Sequence, residues 1–215
     1  ASAKYERNEY TDRYIWTDGT WSLPENTAYL RGMYARDGVA VANYFSHQPA
    51  LNYGYAHPDK PWKMSADSPA ALATREAIKD VMRFWLDLGA DGFRVDMALK
   101  LVKDDDEGRP ANIRLWQDFR AFLEREYPHC AMVSEWGVPK ESIAGGFHMD
   151  FILHFGPPAY TSLFRGERPF FAKEGEGDIT AFLDTFSAML ASTDGKGLIC
   201  IPSGNHDMPR LARGR

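Results

Sequence analysis

The sequence is poor in several features that would narrow its function at once. Two cysteines in 215 residues leave room for at most one disulfide and for no cysteine-based metal site. Cys130 and Cys200 lie in strand-like apolar runs, HCAMVSE and GLICIPS, so buried free thiols are expected rather than a bridge. No hydrophobic run approaches the roughly 20 residues of a membrane-crossing helix. No basic block is present either. Lys and Arg number 25 against 30 Asp and Glu, for a net charge of −5, and no nucleic-acid partner is expected. The opening ASAKYERNEYTDRY lacks the charged and apolar regions of a signal peptide. Cytoplasmic and secreted settings both stay open. There is no internal repeat and no low-complexity segment.

What the chain does have is an irregular start and a regular remainder. Residues 1–60 are rich in Tyr, Trp, Asn and Gly, with one short strand candidate, VAVANYF (39–45). Trp16, Trp21, Tyr29, Tyr34, Tyr53, Tyr55 and Trp62 crowd this region. Packing of a loop-rich subdomain is the expectation for these rings, a sugar groove the alternative. From residue 61 to 215 the pattern alternates. Ser68-Pro69 reads as an N-cap with proline at the first helical position. Ile78, Val81, Met82, Trp85 and Leu88 follow at helical spacing, and Gly89 suits a left-handed stop. A strand is expected at 92–96, then a charged surface loop, KDDDEGRP (103–110). A helix over 112–127 carries Leu115, Trp116, Phe119, Phe122 and Leu123. Strands are expected at 131–135, 147–155 and 197–203. Asp178 precedes a helix carrying Phe182, Phe186, Met189 and Leu190. Such alternation predicts an α/β fold with parallel strands and helical crossovers.

The polar residues then stand out by position. Asp96 and Glu135 end strands, and Asp207 lies just beyond the last one. The carboxyl ends of the strands of a parallel barrel gather on one face, where active sites form. Carboxylates remote in sequence would converge there. Arg94 and Asp96, two apart on a strand, share a face, and a nearby cation should keep Asp96 ionised. Glu135, beside Trp136 and apolar residues, should hold its proton by desolvation. One ionised and one protonated carboxyl group is the equipment of glycoside hydrolysis, with about 5–5.5 Å between them when configuration is retained. His148, Asp150 and His154 fall on one strand face; a polar cluster is expected there rather than a metal site.

These residues resemble the conserved regions of the α-amylase superfamily, glycoside hydrolase family 13. GFRVD (92–96) is similar to the region with the family's arginine and nucleophilic aspartate. VSEWG (133–137) resembles the region of the acid/base glutamate. NHD (205–207) matches the region with a sugar-binding histidine and a transition-state-stabilising aspartate. YTDRYIWTDG (10–19), YFSHQPALN (44–52) and NHDMPR (205–210) extend the likeness to the oligo-glucosidase-like members. The resemblance implies Asp96, Glu135 and Asp207 as catalytic residues, with Arg94, His206 and Arg210 as substrate contacts. It also implies a partial (β/α)8 barrel, roughly strands four to seven, preceded by part of an inserted subdomain at residues 1–60. The family's first conserved region would lie upstream of residue 1, and strand eight beyond Arg215. Open sheet edges would then favour self-association. The small-residue-Lys-His pattern that helps form a calcium site is missing from MALKL (97–101), so no metal and no cofactor are expected.

The implied activity is retaining hydrolysis of α-glucosidic bonds in oligo- or polysaccharides. A glucosyl transferase or isomerase of the trehalose-synthase kind is the alternative within the fold. A non-catalytic carbohydrate-binding module is the alternative outside enzymology.

Overall fold

The computed structural model describes residues 3–32, 35–45, 47–152, 158–165, 169–173, 178–208 and 210–211. It comprises two compact units, one of residues 1–89 and 100–115, the other of residues 90–99 and 116–215.

The first unit opens with long irregular chain. Its strands are minimal: β1 (Tyr29–Leu30) pairs antiparallel with β2 (Ala40–Val41), and single bridges join Tyr14 to Leu51 and Ala42 to Pro49. The VAVANYF run is therefore strand for two residues only. Packing replaces regular pairing here. Ile15, Val41, Ala50 and Tyr55 form one buried cluster, with Trp62 against it, and Trp16, Leu30 and Ala40 form another. Tyr53 is also buried, whereas Trp21 is 83% exposed and Tyr29 lies at the surface. Tyr34 falls outside the described residues.

Helix α1 (Pro69–Asp87) starts as its sequence requires. The Ser68 hydroxyl accepts the Ala71 N–H at 3.3 Å, and proline occupies the first turn, where its missing donor costs nothing. Gly89, at φ 98°, ends it in the left-handed region. Its buried side runs through Ala71, Thr74, Lys79 and Met82, with Ile78 half-buried, while Val81, Phe84, Trp85 and Leu88 are exposed.

The acidic loop is less free than its charge suggests. Asp105 accepts the N–H groups of Ala111 and Asn112 and the Asn112 side-chain amide, which caps the next helix. Asn112, fully buried, also bonds the N–H and carbonyl of Val102. Asp104 pairs with Lys63 at 2.6 Å, and Asp106 with His57 at 2.9 Å. With its cap at Asp105, helix α2 (Pro110–Glu126) begins two residues before the expected start.

The second unit is a four-stranded parallel sheet in the order β3 (Gly92–Val95), β4 (Ala131–Ser134), β5 (Met149–Phe151), β6 (Leu198–Cys200). The parallel order and alternation agree with the sequence. Two short helices escaped it, α3 (Pro139–Ala144) and α4 (Pro158–Phe164), each too brief to display a period. Helix α5 (Thr180–Ala191) follows Asp178, whose carboxylate accepts the Thr180 N–H. The stripe on α2 is the firmest part of the core: Leu115, Trp116, Phe119, Phe122 and Leu123 are all at most 3% exposed. The Trp116 ring lies against Phe119 and Phe147, and its N–H donates to the Ala98 carbonyl. A further cluster joins Ile152, Tyr160, Leu163 and Phe182, with Phe186 and Met189 packed on it; Leu190 is exposed. Cys130 is buried and Cys200 half-buried, both as free thiols.

Replacing fully buried Phe119 by Ala removes a ring from this core without a substitute. The expected loss is about 3–5 kcal/mol of unfolding free energy, read from urea denaturation by circular dichroism.

Candidate active site

Register creates the site. In the β3–β4 pair, Arg94 lies opposite Val133 and Val95 opposite Ser134, and the Glu135 N–H donates to the Val95 carbonyl at 2.8 Å. One step further, at the carboxyl ends of both strands, Asp96 and Glu135 meet. Gly92 permits this pairing, since a Cβ there would lie 2.1 Å from the Ala131 carbonyl oxygen.

Arg94 holds the two carboxyl groups together. Its Nη1 donates to Asp96 Oδ1 at 2.5 Å and its Nη2 to Glu135 Oε2 at 2.9 Å. Both carboxyl groups thus sit on one guanidinium at the strand ends. Their surroundings differ: the Glu135 side chain is 10% exposed, that of Asp96 66%. Two carboxyl groups on one cation compete for a proton, and environment decides which binds it more tightly. Burial pushes the Glu135 carboxyl up, and the neighbouring Asp96 adds to the rise; the Met97 N–H and the Arg94 charge oppose it without prevailing. For Asp96, burial also acts upward, but the neighbouring Glu135 and Arg94, with the charge of His206, hold it below the ordinary aspartate range. The two shifts run in opposite directions, and Glu135 is the stronger proton holder of the pair.

Two backbone features fix this corner. Met97 takes a left-handed φ of 47° and directs its N–H at Glu135 Oε2, 3.2 Å away. Such a conformation is costly for a side chain of this kind and is found where function constrains the chain. Gly137, at φ 83°, turns the chain after Glu135.

The remaining predicted residues lie on the segment after β6. Helix α4 anchors that segment, through the Tyr160 hydroxyl to the Pro202 carbonyl and through Arg165 to the Ser203 carbonyl at 3.2 Å. Asn205 accepts the Asp207 N–H in a local turn, and His206 Nε2 stands 3.4 Å from Asp207 Oδ2. His206 is near enough for its charge to act on Asp96. Asp207, half-exposed, reaches His206, and among the described residues no hydrogen bond or ion pair links it to Asp96 or Glu135. Arg210 lies against Gly204, as does Arg165.

No metal-type grouping of three His, Cys, Asp or Glu side chains occurs among the described residues. His148 is engaged by the Met132 N–H and by Arg120, and Asp150 is wholly buried and bonded; His154 lies outside the described residues. No described helix is long and apolar enough to cross a membrane. A separate open cleft of about 570 Å³ lies within the first unit, lined by Glu25, Tyr55, Asp59, Trp62, Lys63 and Lys103 among others. Its Lys63 is paired with both Asp59 and Asp104. Burial, aided by the Lys100 charge, pushes its Lys103 amine down to about 8.

Comparison with known proteins places this geometry. The model of the alpha-amylase catalytic domain matches residues 1–213. The chain belongs to that family. Among its relatives is a trehalose synthase/amylase, TreS, of Mycolicibacterium smegmatis, 31% identical over 160 residues, which are 69% of this chain and 23% of that protein. An oligo-1,6-glucosidase of Bacillus sp. (strain F5) is 29% identical over 118 residues, 51% of this chain and 21% of that protein. The chain thus spans about a quarter or less of these relatives. The crystal structure of an alpha-glucosyl transfer enzyme, XgtA, superposes with a TM-score of 0.68 over 97% of this chain and 41% of that one, at 20% identity. As a member of the alpha-amylase family, the second unit is read as one sector of a TIM barrel, its four parallel strands flanked by helices. The relatives thus include both an oligo-1,6-glucosidase and a trehalose synthase/amylase.

A carboxyl raised in the fold binds its proton more tightly folded than unfolded. Stability therefore falls as pH rises from the ordinary glutamate value, about 4.3, through the folded value of Glu135, and levels off above it. Glu135→Gln removes that loss. The variant is expected to melt above the wild type at neutral pH, the gap closing below the ordinary glutamate value; calorimetry across pH reads it.

Proposed function

We propose that this chain carries the reacting carboxyl groups of a retaining enzyme acting on α-glucosidic bonds. The observation that supports the reading most is the Arg94-bridged pair, in which Asp96 is held below and Glu135 above the ordinary carboxylate range. In the first step an Asp96 oxygen bonds to the anomeric carbon, the glycosidic C–O bond breaks, and the Glu135 proton passes to the leaving oxygen. In the second, Glu135 takes a proton from water, whose oxygen bonds to the anomeric carbon and releases Asp96. Proton transfer of this kind contributes about 10²–10⁴-fold. Arg94 keeps Asp96 ionised, and His206, Asp207 and Arg210 contact the sugar.

A second reading shares the first step and differs in the acceptor. The likeness to trehalose synthases favours it: a sugar hydroxyl replaces water, and a rearranged disaccharide leaves in place of free glucose. Chromatography of products from maltose separates the two.

Asp96→Asn in the whole protein is expected to abolish hydrolysis of a nitrophenyl α-glucoside while leaving the circular dichroism spectrum unchanged. Turnover at the wild-type rate would remove Asp96 from the mechanism. Maltose binding without turnover in the unsubstituted protein would favour a sugar-binding module instead.

A further inference from the structure

Asp150, on β5, is fully buried, and among the described residues no ion pair neutralises it. Its carboxyl group is taken up by one stretch of chain. Oδ1 accepts the Ser134 hydroxyl at 2.8 Å and the Trp136 N–H at 3.0 Å, and Oδ2 accepts the Gly137 N–H at 3.0 Å. The donors from β4 and beyond flank Glu135 on both sides in sequence: 134 before it, 136 and 137 after it. Ser134 is held in turn by Ser142 of α3 at 2.6 Å, and the Trp136 indole N–H by Glu141 of the same helix at 2.9 Å. Burial pushes the Asp150 carboxyl up, and this shell of donors opposes the rise without cancelling it.

We infer that Asp150 is a positioning residue for Glu135, clamping the main chain from 134 to 137 so that the Glu135 carboxyl is presented between Arg94 and the Met97 N–H. The inference rests on the proposed function of Glu135 as acid/base. Asp150 touches no reacting atom; it acts through the backbone. An aspartate is needed for this, because an asparagine would present an N–H₂ group to one of the N–H donors. With the clamp loosened, the chain at 135 gains freedom, water reaches the carboxyl, and Glu135 loses the burial that raises it. The charged and titratable groups facing the clamp and its cargo are Arg94, Asp96 and His206 at the site, Glu141 from α3 and Cys200 from β6.

The test compares Asp150→Asn with Glu135→Gln and the wild type. Carboxyl ¹³C titration follows Glu135, its resonance assigned by its disappearance in Glu135→Gln. In folded Asp150→Asn the Glu135 pKa is expected to drop toward the ordinary glutamate value, and kcat in the whole protein to fall about 10²-fold with KM changed less than about threefold. The alkaline limb of the pH–rate profile should move to lower pH with it. A merely structural role would lower the melting temperature and leave both titration and limb in place. Folded Asp150→Asn with an unmoved Glu135 titration and unmoved kcat overturns the inference. Should Asp150→Asn fail to fold, Ser134→Ala removes a single bond of the clamp and is judged by the same shifts, smaller in size. Wild-type turnover by Glu135→Gln would instead overturn the acid/base reading, while the titration in Asp150→Asn still decides whether the clamp sets the Glu135 environment.

Discussion

The guanidinium of Arg94 between two carboxyl groups is the interaction on which this site depends. Without it, Asp96 and Glu135 would be like-charged neighbours at adjoining strand ends, and each would raise the other's proton affinity. The bridge breaks that symmetry because its two partners sit in different surroundings. Asp96 is largely open to solvent and can be charged at modest cost. Glu135 is buried, and the same cation does not offset its desolvation. Around one arginine, two similar side chains therefore shift in opposite directions. The fold supplies the difference, since the parallel register puts the residues abreast while the turn after β4 folds Glu135 inward.

That turn shows how chemistry and packing are linked. Trp136 immediately follows Glu135 and is 2% exposed, with its ring against Phe147 and its indole N–H on Glu141. Phe147 in turn meets Trp116 of α2. A continuous line of aromatic contacts thus runs from the buried helix stripe to the residue beside Glu135. The polar line through Ser142, Ser134 and Asp150 meets the same turn from within the sheet. Two kinds of interaction fix four residues of main chain, and a side chain on so constrained a backbone loses little freedom when it reacts.

Much of this arrangement was readable from residue order. The strand-helix alternation gave the parallel sheet, and the α2 stripe gave the core, because Leu115 to Leu123 combine helical spacing with large apolar side chains. Asp96 and Glu135 were legible because strand ends in a parallel sheet converge. Other features were hidden for physical reasons. The spacing from Ile78 to Leu88 marked α1 as a helix, but not which of those residues are covered: Met82 is buried and Val81, Trp85 and Leu88 are exposed. The run KDDDEGRP read as solvated charge, yet Asp105 caps α2 and Asp104 binds Lys63, contacts that depend on chain far away. Met97 gave no signal at all, for a left-handed φ is set by the chain on either side. Asp150 did give one, an aspartate inside an apolar strand run that reads as part of a polar cluster, but sequence does not say which donors it takes.

The unequal surroundings of the two carboxyl groups also set how firmly each is held. Glu135 is enclosed, with the Met97 N–H on its carboxyl and its backbone turn tied to Asp150. Asp96 is bound through Arg94 and otherwise faces water. The solvated side chain can exchange its ion pair for hydrogen bonds to water, whereas the enclosed one gives up a bond that water does not replace. Burial on one side of Arg94 and solvent on the other thus account both for the opposite shifts in proton affinity and for the unequal hold on the two groups.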